Sequence, residues 1–277
     1  MNKLLIVGHG DISSRVGARL PVGVETRLLA RRFGLDLDRP ETLSGIADWA
    51  DAALHCAPPP AEGETDSRTA RLLAALAKGR ILPTRLVYLS TSGVYGDCGG
   101  ALVDESRAPN ARSARARRRA DAERQLAAWC VQRAVALVVL RVPGIYAADR
   151  LPLARLRAGT PVLRAEEDVY TSHIHADDLA SIVLRALNDD APPGVYNACD
   201  DTQMKMGDWF DLVAERHGLA RPPRIARSEA AGRISPALLE FMSESRRLDN
   251  ARLKSRLGVR LAYPTVEQGV PVAGSAA

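Results

Sequence analysis

Residues 3–20 read Lys3-Leu4-Leu5-Ile6-Val7-Gly8-His9-Gly10-Asp11-Ile12-Ser13-Ser14-Arg15-Val16-Gly17-Ala18-Arg19-Leu20. The apolar run Leu4–Val7 predicts a fully buried strand. It runs straight into Gly8-His9-Gly10, after which Ile12, Val16 and Leu20 recur at helical spacing. Strand, glycine turn and helix in that order are the opening of a dinucleotide-binding fold. Gly8 allows the sharp turn. Gly10 lets the backbone approach a pyrophosphate, which would sit on the free N–H groups at the helix N-terminus formed by His9, Asp11 and Ile12. The third glycine of the fingerprint is replaced by Ser13, a residue small enough for close helix–strand packing.

Working outward, Val24–Leu29 predicts the second strand, ending at Ala30-Arg31-Arg32. An NAD-selective site carries an acidic residue at this end for the ribose 2′-hydroxyl, whereas arginine suits a 2′-phosphate. Arg31, with Arg32, therefore points to NADP, with NAD as the alternative. Leu35–Asp38 predicts a short strand leading to a helix over 40–49. Asp51–Ala57 predicts the third strand of the main series. Pro58-Pro59-Pro60 follows and fixes an extended loop over the cofactor cleft, where Ala57, Pro58 and Pro59 would border the nucleotide. A helix over 65–78 has Ala70, Leu73, Ala74 and Ala77 on one face. Strands over 85–89 and 136–141 flank an arginine-rich helix over 112–131.

This alternation implies an α/β fold, a doubly wound parallel sheet with helices on both faces. After Tyr146 the pattern changes. A short helix over 151–158, a strand over 169–174, a helix over 176–187 and a strand over 195–198 lead into proline-broken helical segments. Residues 1–146 and 172–198 are read as the Rossmann-type domain, and 147–171 with 199–277 as a small C-terminal substrate lobe. The tail after Val270 is expected to fray.

The chain has 277 residues, 46% of them hydrophobic, enough to bury about three-quarters of its unfolded surface without a disulfide or metal. Cys56, Cys98, Cys130 and Cys199 form no CxxC pair, and with five histidines no metal cluster is expected. No signal peptide and no membrane span is read, since the run over 134–140 is far too short. These features predict a cytoplasmic location. The net charge of +5 is almost all arginine, with Lys3, Lys78, Lys205 and Lys254 the only lysines. Asp121 and Glu123 interrupt the arginine run, and Trp129 stands alone at its end, so no nucleic-acid partner is expected.

Five segments carry a resemblance that spans nearly the whole chain. They are Gly8-His9-Gly10; Tyr88-Leu89-Ser90-Thr91-Ser92-Gly93-Val94-Tyr95-Gly96; Leu140-Arg141-Val142-Pro143-Gly144-Ile145-Tyr146; His173 to Ala180; and Asn250 to Lys254 with Tyr263-Pro264-Thr265. Together they resemble the extended short-chain dehydrogenases/reductases, the group that includes NAD-dependent epimerases and dehydratases. The resemblance implies a Ser/Thr at the end of the fourth strand, matched by Thr91, and a Tyr-x-x-x-Lys on the next helix. The tyrosine would move a proton and the lysine would hold the nicotinamide ribose. Pro143 is carried over on the cofactor side.

At the tyrosine and lysine positions this sequence has Arg115 and Arg119. Arginine stays protonated and is a poor general acid. The pair lies one helical turn apart and could clamp an anionic substrate group. Tyr95 and Tyr146 are the nearest substitute acids, each against the alternative of a packing role. His175 is expected to make a structural bond or to cap a helix, and Asp177 and Asp178 to sit in that helix's first turn. The resemblance implies an NAD(P)-dependent oxidoreductase or epimerase/dehydratase-like enzyme with a non-standard active site, acting on a small hydroxyl- or carbonyl-bearing substrate. The competing reading is an NADP(H)-binding regulatory or sensor protein without turnover. Monomer and homodimer both remain open.

Overall fold

The computed structural model describes residues 1–274. Six parallel strands form its central sheet: β1 (Lys3–Val7), β2 (Glu25–Leu29), β3 (Ala52–His55), β4 (Arg85–Thr91), β5 (Ala136–Val142) and β6 (Gly194–Asn197). Their order across the sheet is β6-β5-β4-β3-β1-β2. Leu4, Leu5, Ile6 and Val7 are buried on both faces of β1, as an interior parallel strand requires. The chain leaves β1 in one direction to β2 and returns on its other side to β3, so strand order reverses between β1 and β3. Open α/β sheets bind ligands at this reversal, beyond the carboxyl ends of the strands.

Helices cover both faces. Helix α1 (Asp11–Gly17) and helix α4 (Ala176–Leu187) lie on one side, where Val16, Leu179, Ile182 and Val183 pack with Leu4, Ile6 and Val87. Helices α2 (Ser67–Leu76) and α3 (Ala114–Gln132) lie on the other, where Leu72, Leu76, Leu126 and Trp129 pack with Leu5, Val7 and Tyr88. A third cluster, with Leu156, Trp209, Phe210, Val213, Leu238 and Val266, fills the region around helix α5 (Met206–Arg216).

Several local expectations give way. Leu35–Asp38 forms no strand and 40–49 no regular helix; only a 3₁₀ turn spans Pro40–Leu43. Side chains have taken over the backbone there. Thr42 Oγ1 accepts from the Asp36 N–H at 2.9 Å, and Asp36 Oδ1 accepts from the Asp38 N–H at 2.9 Å. In consequence β2 is a sheet edge. In α2, Ala70, Ala74 and Ala77 are exposed, and the buried face is Thr69, Leu72, Leu73 and Leu76. The strand over 169–174 is divided in two. Tyr170–Thr171 pairs antiparallel with Met204–Lys205, and His173–His175 pairs parallel with Gly144–Tyr146. The expected frayed tail stays bonded as far as Ala273, whose N–H donates to the Arg216 carbonyl at 2.9 Å; residues 275–277 lie outside the described region. Among the described residues no helix is long and apolar enough to cross a membrane.

Helix α3 is the polar exception among these helices. Glu123, on its inner face, accepts from Arg141 of β5 at 2.8 Å and from the Ser90 hydroxyl of β4 at 2.5 Å. Arg141 also lies over the Tyr95 ring at 4.6 Å. Both charged side chains are almost wholly buried, so removing one strands the other in the protein interior. Glu123→Leu is expected to destabilise the fold by about 3–5 kcal/mol in urea unfolding, with Glu123→Leu/Arg141→Leu recovering part of that loss. A single variant as stable as the wild type would show that the pair does not fasten α3.

Candidate cofactor and substrate site

The glycine turn closes directly on the strand across the reversal. Gly8 has φ +92°, and a Cβ there would stand 2.6 Å from the Ala57 nitrogen and 2.8 Å from its Cα. Both conformation and contact therefore demand glycine. Gly10 differs. Its φ of −140° suits any residue, and a Cβ there would meet nothing within 4 Å. The space in front of it is open, as backbone approach by a ligand requires. Ser13 fits its slot by turning inward: it is 2% exposed, and its hydroxyl oxygen accepts from the Gly10 N–H at 2.8 Å while the hydroxyl donates to the Gly10 carbonyl at 2.9 Å.

The other residues expected at the nucleotide divide into two groups. The Ile12 side chain is in the core, leaving only its backbone for a ligand. The Asp11 carboxylate is taken by Arg15 and Arg150, each at 2.8 Å, so it binds protein rather than cofactor. Arg31 and Arg32 are exposed on a 3₁₀ turn, and Arg32 lies over the Phe33 ring at 4.8 Å. Pro58 and Pro59 are tied down by Arg68, whose guanidinium donates to both carbonyls and to Asp38. Pro143 is half-buried in the turn after β5.

Thr91 ends β4, where its hydroxyl oxygen accepts from the Gly93 N–H at 3.2 Å. Arg119 is 7% exposed and spans the crevice floor, donating to the Leu89 carbonyl at 2.8 Å, the Tyr88 hydroxyl at 3.1 Å and the Ala57 carbonyl at 3.4 Å. Its Nε is buried without a partner. Arg119 thus joins the ends of β3 and β4. Arg115, one turn earlier, is exposed and has no hydrogen bond or ion pair among the described residues. Its charge is felt by Arg119 and by Glu240, placing it between α3 and the short helix Pro236–Phe241. Glu123, on the same helix, pairs with Arg141 of β5 and not with either of these arginines.

Neither candidate tyrosine opens to this crevice. Tyr95 is fully buried, and its hydroxyl donates to Asn197 Oδ1 at 2.8 Å; burial pushes its pKa up to about 12. Tyr146 is 1% exposed, donates to the Thr265 carbonyl at 3.3 Å and is raised further still by burial. Satisfied and sealed, both hydroxyls serve packing, which corrects their reading as general acids. His175 caps α4, with its Nδ1 accepting from the Asp177 N–H at 3.2 Å. Asp177 pairs with Arg15 and Arg19, and Asp178 accepts the N–H groups of Ala262 and Tyr263.

Comparison with known proteins agrees with this architecture. Residues 31–199 match the NAD dependent epimerase/dehydratase family. The chain belongs to that family. A GDP-6-deoxy-D-mannose reductase of Pseudomonas aeruginosa is 27% identical over 181 residues, covering 58% of this chain and 59% of that relative's length. A conserved protein of unknown function from Silicibacter pomeroyi has the same fold, with a TM-score of 0.74 and 29% identity over 98% of this chain and 97% of that one. The Pseudomonas aeruginosa protein RMD, solved with NADPH, gives a TM-score of 0.75 at 19% identity, again covering 98% and 97%. Thermus thermophilus UDP-glucose 4-epimerase, solved with NAD, gives 0.74 at 20%, with the same coverage. The last two likenesses show the fold alone.

Two buried titratable groups escaped sequence reasoning. His55, at the end of β3, is fully buried with Nε2 2.9 Å from Thr69 Oγ1. The Thr69 hydroxyl donates to Asp66 at 3.0 Å, so His55 supplies the proton of the first bond. Burial holds its pKa down to about 3, and it stays neutral. Asp200, at the end of β6, is 2% exposed; Oδ1 accepts from the Thr202 N–H, and Oδ2 is buried without a partner. No local motif announces either residue, since their partners lie on separate elements or follow from burial alone.

Burial raises Asp200 to about 8, so it is protonated at neutral pH. Its folded pKa lies above the unfolded value of 3.8. The folded state therefore binds the extra proton, and the stability this group contributes is full below the unfolded pKa and lost as pH rises toward about 8. Asp200→Asn is expected to flatten that decline in urea unfolding between about pH 5 and pH 8. Parallel declines in variant and wild type would refute the assignment.

Proposed function

We propose that this family member is an NADP(H)-dependent oxidoreductase or epimerase/dehydratase acting on a small, anionic hydroxyl- or carbonyl-bearing substrate. NAD(H) is the alternative cofactor. The observation that carries the reading is the crevice at the strand reversal, where Gly8 lies against the Ala57 backbone and the space before Gly10 is open. A side chain at position 8 would close it. In this reading Gly8, His9, Gly10 and Ile12 line the pyrophosphate path and Arg31 the 2′-phosphate, with Ala57, Pro58, Pro59 and Pro143 bordering the nucleotide. NADP(H), when bound, supplies or accepts the hydride.

The chain's own groups do the rest. Thr91 orients the substrate oxygen at the end of β4. Arg119, fixed by three hydrogen bonds, holds a positive charge at the crevice floor. Arg115 is free to take a carboxylate or phosphate of the substrate. Residues 147–171 and 199–270 supply the substrate lobe, whose side of the cleft carries Glu240 near Arg115.

The second reading, a nucleotide-binding regulatory protein without turnover, is favoured by one specific feature. Helix α3 contains neither tyrosine nor lysine, and Tyr95 and Tyr146 are sealed. The two readings share the cofactor and part at chemistry. Energy transfer from tryptophan is expected to report micromolar NADPH binding, and Arg31→Ala to weaken NADPH by about tenfold, a loss of ~1.4 kcal/mol, with NADH unchanged. Hydride transfer to any member of a carbonyl and sugar-nucleotide panel, abolished in Thr91→Ala, favours the enzyme. NADPH binding with no turnover across that panel favours the regulator. Binding of neither nucleotide overturns both.

A further inference from the structure

The outer edge of the central sheet is a surface that neither the crevice nor the lobe uses. Because residues 35–38 form turns in place of a further strand, β2 has a neighbour on one side only. On that side the Glu25 N–H donates to the Asn2 carbonyl at 2.8 Å, and the Leu29 carbonyl accepts from the Gly8 N–H at 2.9 Å. Backbone polar groups point alternately to the two sides of a strand. Those of Glu25, Arg27 and Leu29 therefore belong to β1, and those of Thr26 and Leu28 face outward. Among the described residues nothing outside the sheet bonds to the backbone of Thr26 or Leu28.

The side chains along this edge are self-complementary about Thr26. Glu25 and Arg27 flank it, and Val24 and Leu28 come next. Val24 and Leu28 pack against the core on the side of α1 and α4. Alternation puts Glu25 and Arg27 on the opposite side, where Arg27 lies 4.4 Å from the Trp49 ring and donates to the Gly45 carbonyl. Glu25 and Thr26 are exposed, and Arg27 and Leu28 are half-buried. Neither Glu25 nor Arg27 has an ion pair among the described residues.

We propose that β2 pairs antiparallel with β2 of a second copy of this chain, about a two-fold axis at Thr26, so that one sheet runs through both copies. In this register Thr26 faces the partner's Thr26, Glu25 faces the partner's Arg27, and Val24 faces the partner's Leu28. The last two pairs each occur twice by symmetry. Opposite charges and apolar side chains directly across a ladder stabilise it, and like charges destabilise it. A one-residue shift of the axis in either direction sets Arg27 against the partner's Arg27 or Glu25 against the partner's Glu25. Charge therefore selects the axis at Thr26.

The main-chain groups suit the same register. Thr26 exchanges both of its bonds with the partner's Thr26, and the Leu28 N–H reaches the partner's Val24 carbonyl. The Val24 N–H is not needed, since it already donates to the Pro21 carbonyl at 3.3 Å. Charged residues on an edge strand ordinarily discourage pairing. Here the two charges have opposite sign, and pairing in one register satisfies both. The ends of the strand extend the contact. Val22, fully exposed, precedes β2, and the half-exposed Phe33 follows it. Antiparallel pairing carries the Val22 end of each copy to the Phe33 end of the other. The proposal rests on the sheet edge alone and stands apart from the nucleotide reading.

The test is sedimentation velocity of the full-length protein over about a hundredfold range of concentration. The wild type is expected to sediment as a dimer. Thr26→Pro removes the central N–H at an edge position that tolerates proline, and is expected to leave a folded monomer. Glu25→Arg and Arg27→Glu each create two like-charge pairs, and each is expected to weaken the dimer by at least about tenfold. Mixed in equal amounts, these two variants are expected to form a heterodimer, because a chain with two arginines at the edge then meets a chain with two glutamates. Thermal melting verifies that each variant is folded. Recovery in the mixture separates loss of pairing from loss of the Arg27 contact with Trp49, which mixing does not restore.

A wild type that is monomeric throughout the range overturns the proposal. So does a dimer that survives Thr26→Pro and both charge reversals, since its interface then lies on another face, such as the exposed alanines of α2. Folded charge variants that dissociate but do not associate when mixed overturn the register and the proposal with it.

Discussion

Helix α3 is fastened to the sheet by charge. Glu123 meets Arg141 and Ser90, and Arg119 meets the carbonyl ends of β3 and β4. A helix so rich in arginine would ordinarily turn its long side chains to water. Here Arg118 and Arg119 are buried, and each donates to backbone carbonyls. Burying such groups costs several kcal/mol per ion unless the geometry returns it, and removing either partner exposes that cost in full. The arrangement fixes helix orientation more stringently than an apolar face would, because only one rotation about the helix axis brings Glu123 to Arg141 and Arg119 to Leu89.

That orientation builds the site. With Arg119 locked at the crevice floor, Arg115 stands one turn away, within electrostatic reach of Glu240. The crevice floor gains the fixed charge of Arg119, with the exposed Arg115 one helical turn away. Across the sheet reversal, Gly8 and Ala57 meet too closely for any side chain at position 8. The two constraints, a charged helix behind and a bare turn in front, define the space between.

The polar groups at the margins follow the same logic of satisfaction. His55 donates to Thr69, the Thr69 hydroxyl donates to Asp66, and the Asp66 N–H donates to Asp121 on α3. The chain of bonds links the end of β3 to α2 and α3 beneath the crevice. Asp200 has no such chain and retains a proton instead. Tyr95 and Tyr146 found acceptors in Asn197 and Thr265, and so became part of the scaffold.

The sequence alone determined the opening strand–turn–helix, the α/β alternation, the change of pattern after Tyr146 and the exchange of Tyr and Lys for Arg115 and Arg119. Each of these is written in local periodicity, in glycine or proline, or in residue identity. Tertiary structure decided the rest. It replaced the strand at Leu35–Asp38 with side-chain-bonded turns, because Asp36 and Thr42 compete for the backbone that a strand would need. It turned the exposed alanines of α2 outward and its leucines in, a choice between two apolar faces that periodicity cannot make. It set His9 against Phe33 and Arg32, and Arg119 across two strand ends. Those contacts join residues tens of positions apart, and their energies depend on burial, which only the packed chain supplies.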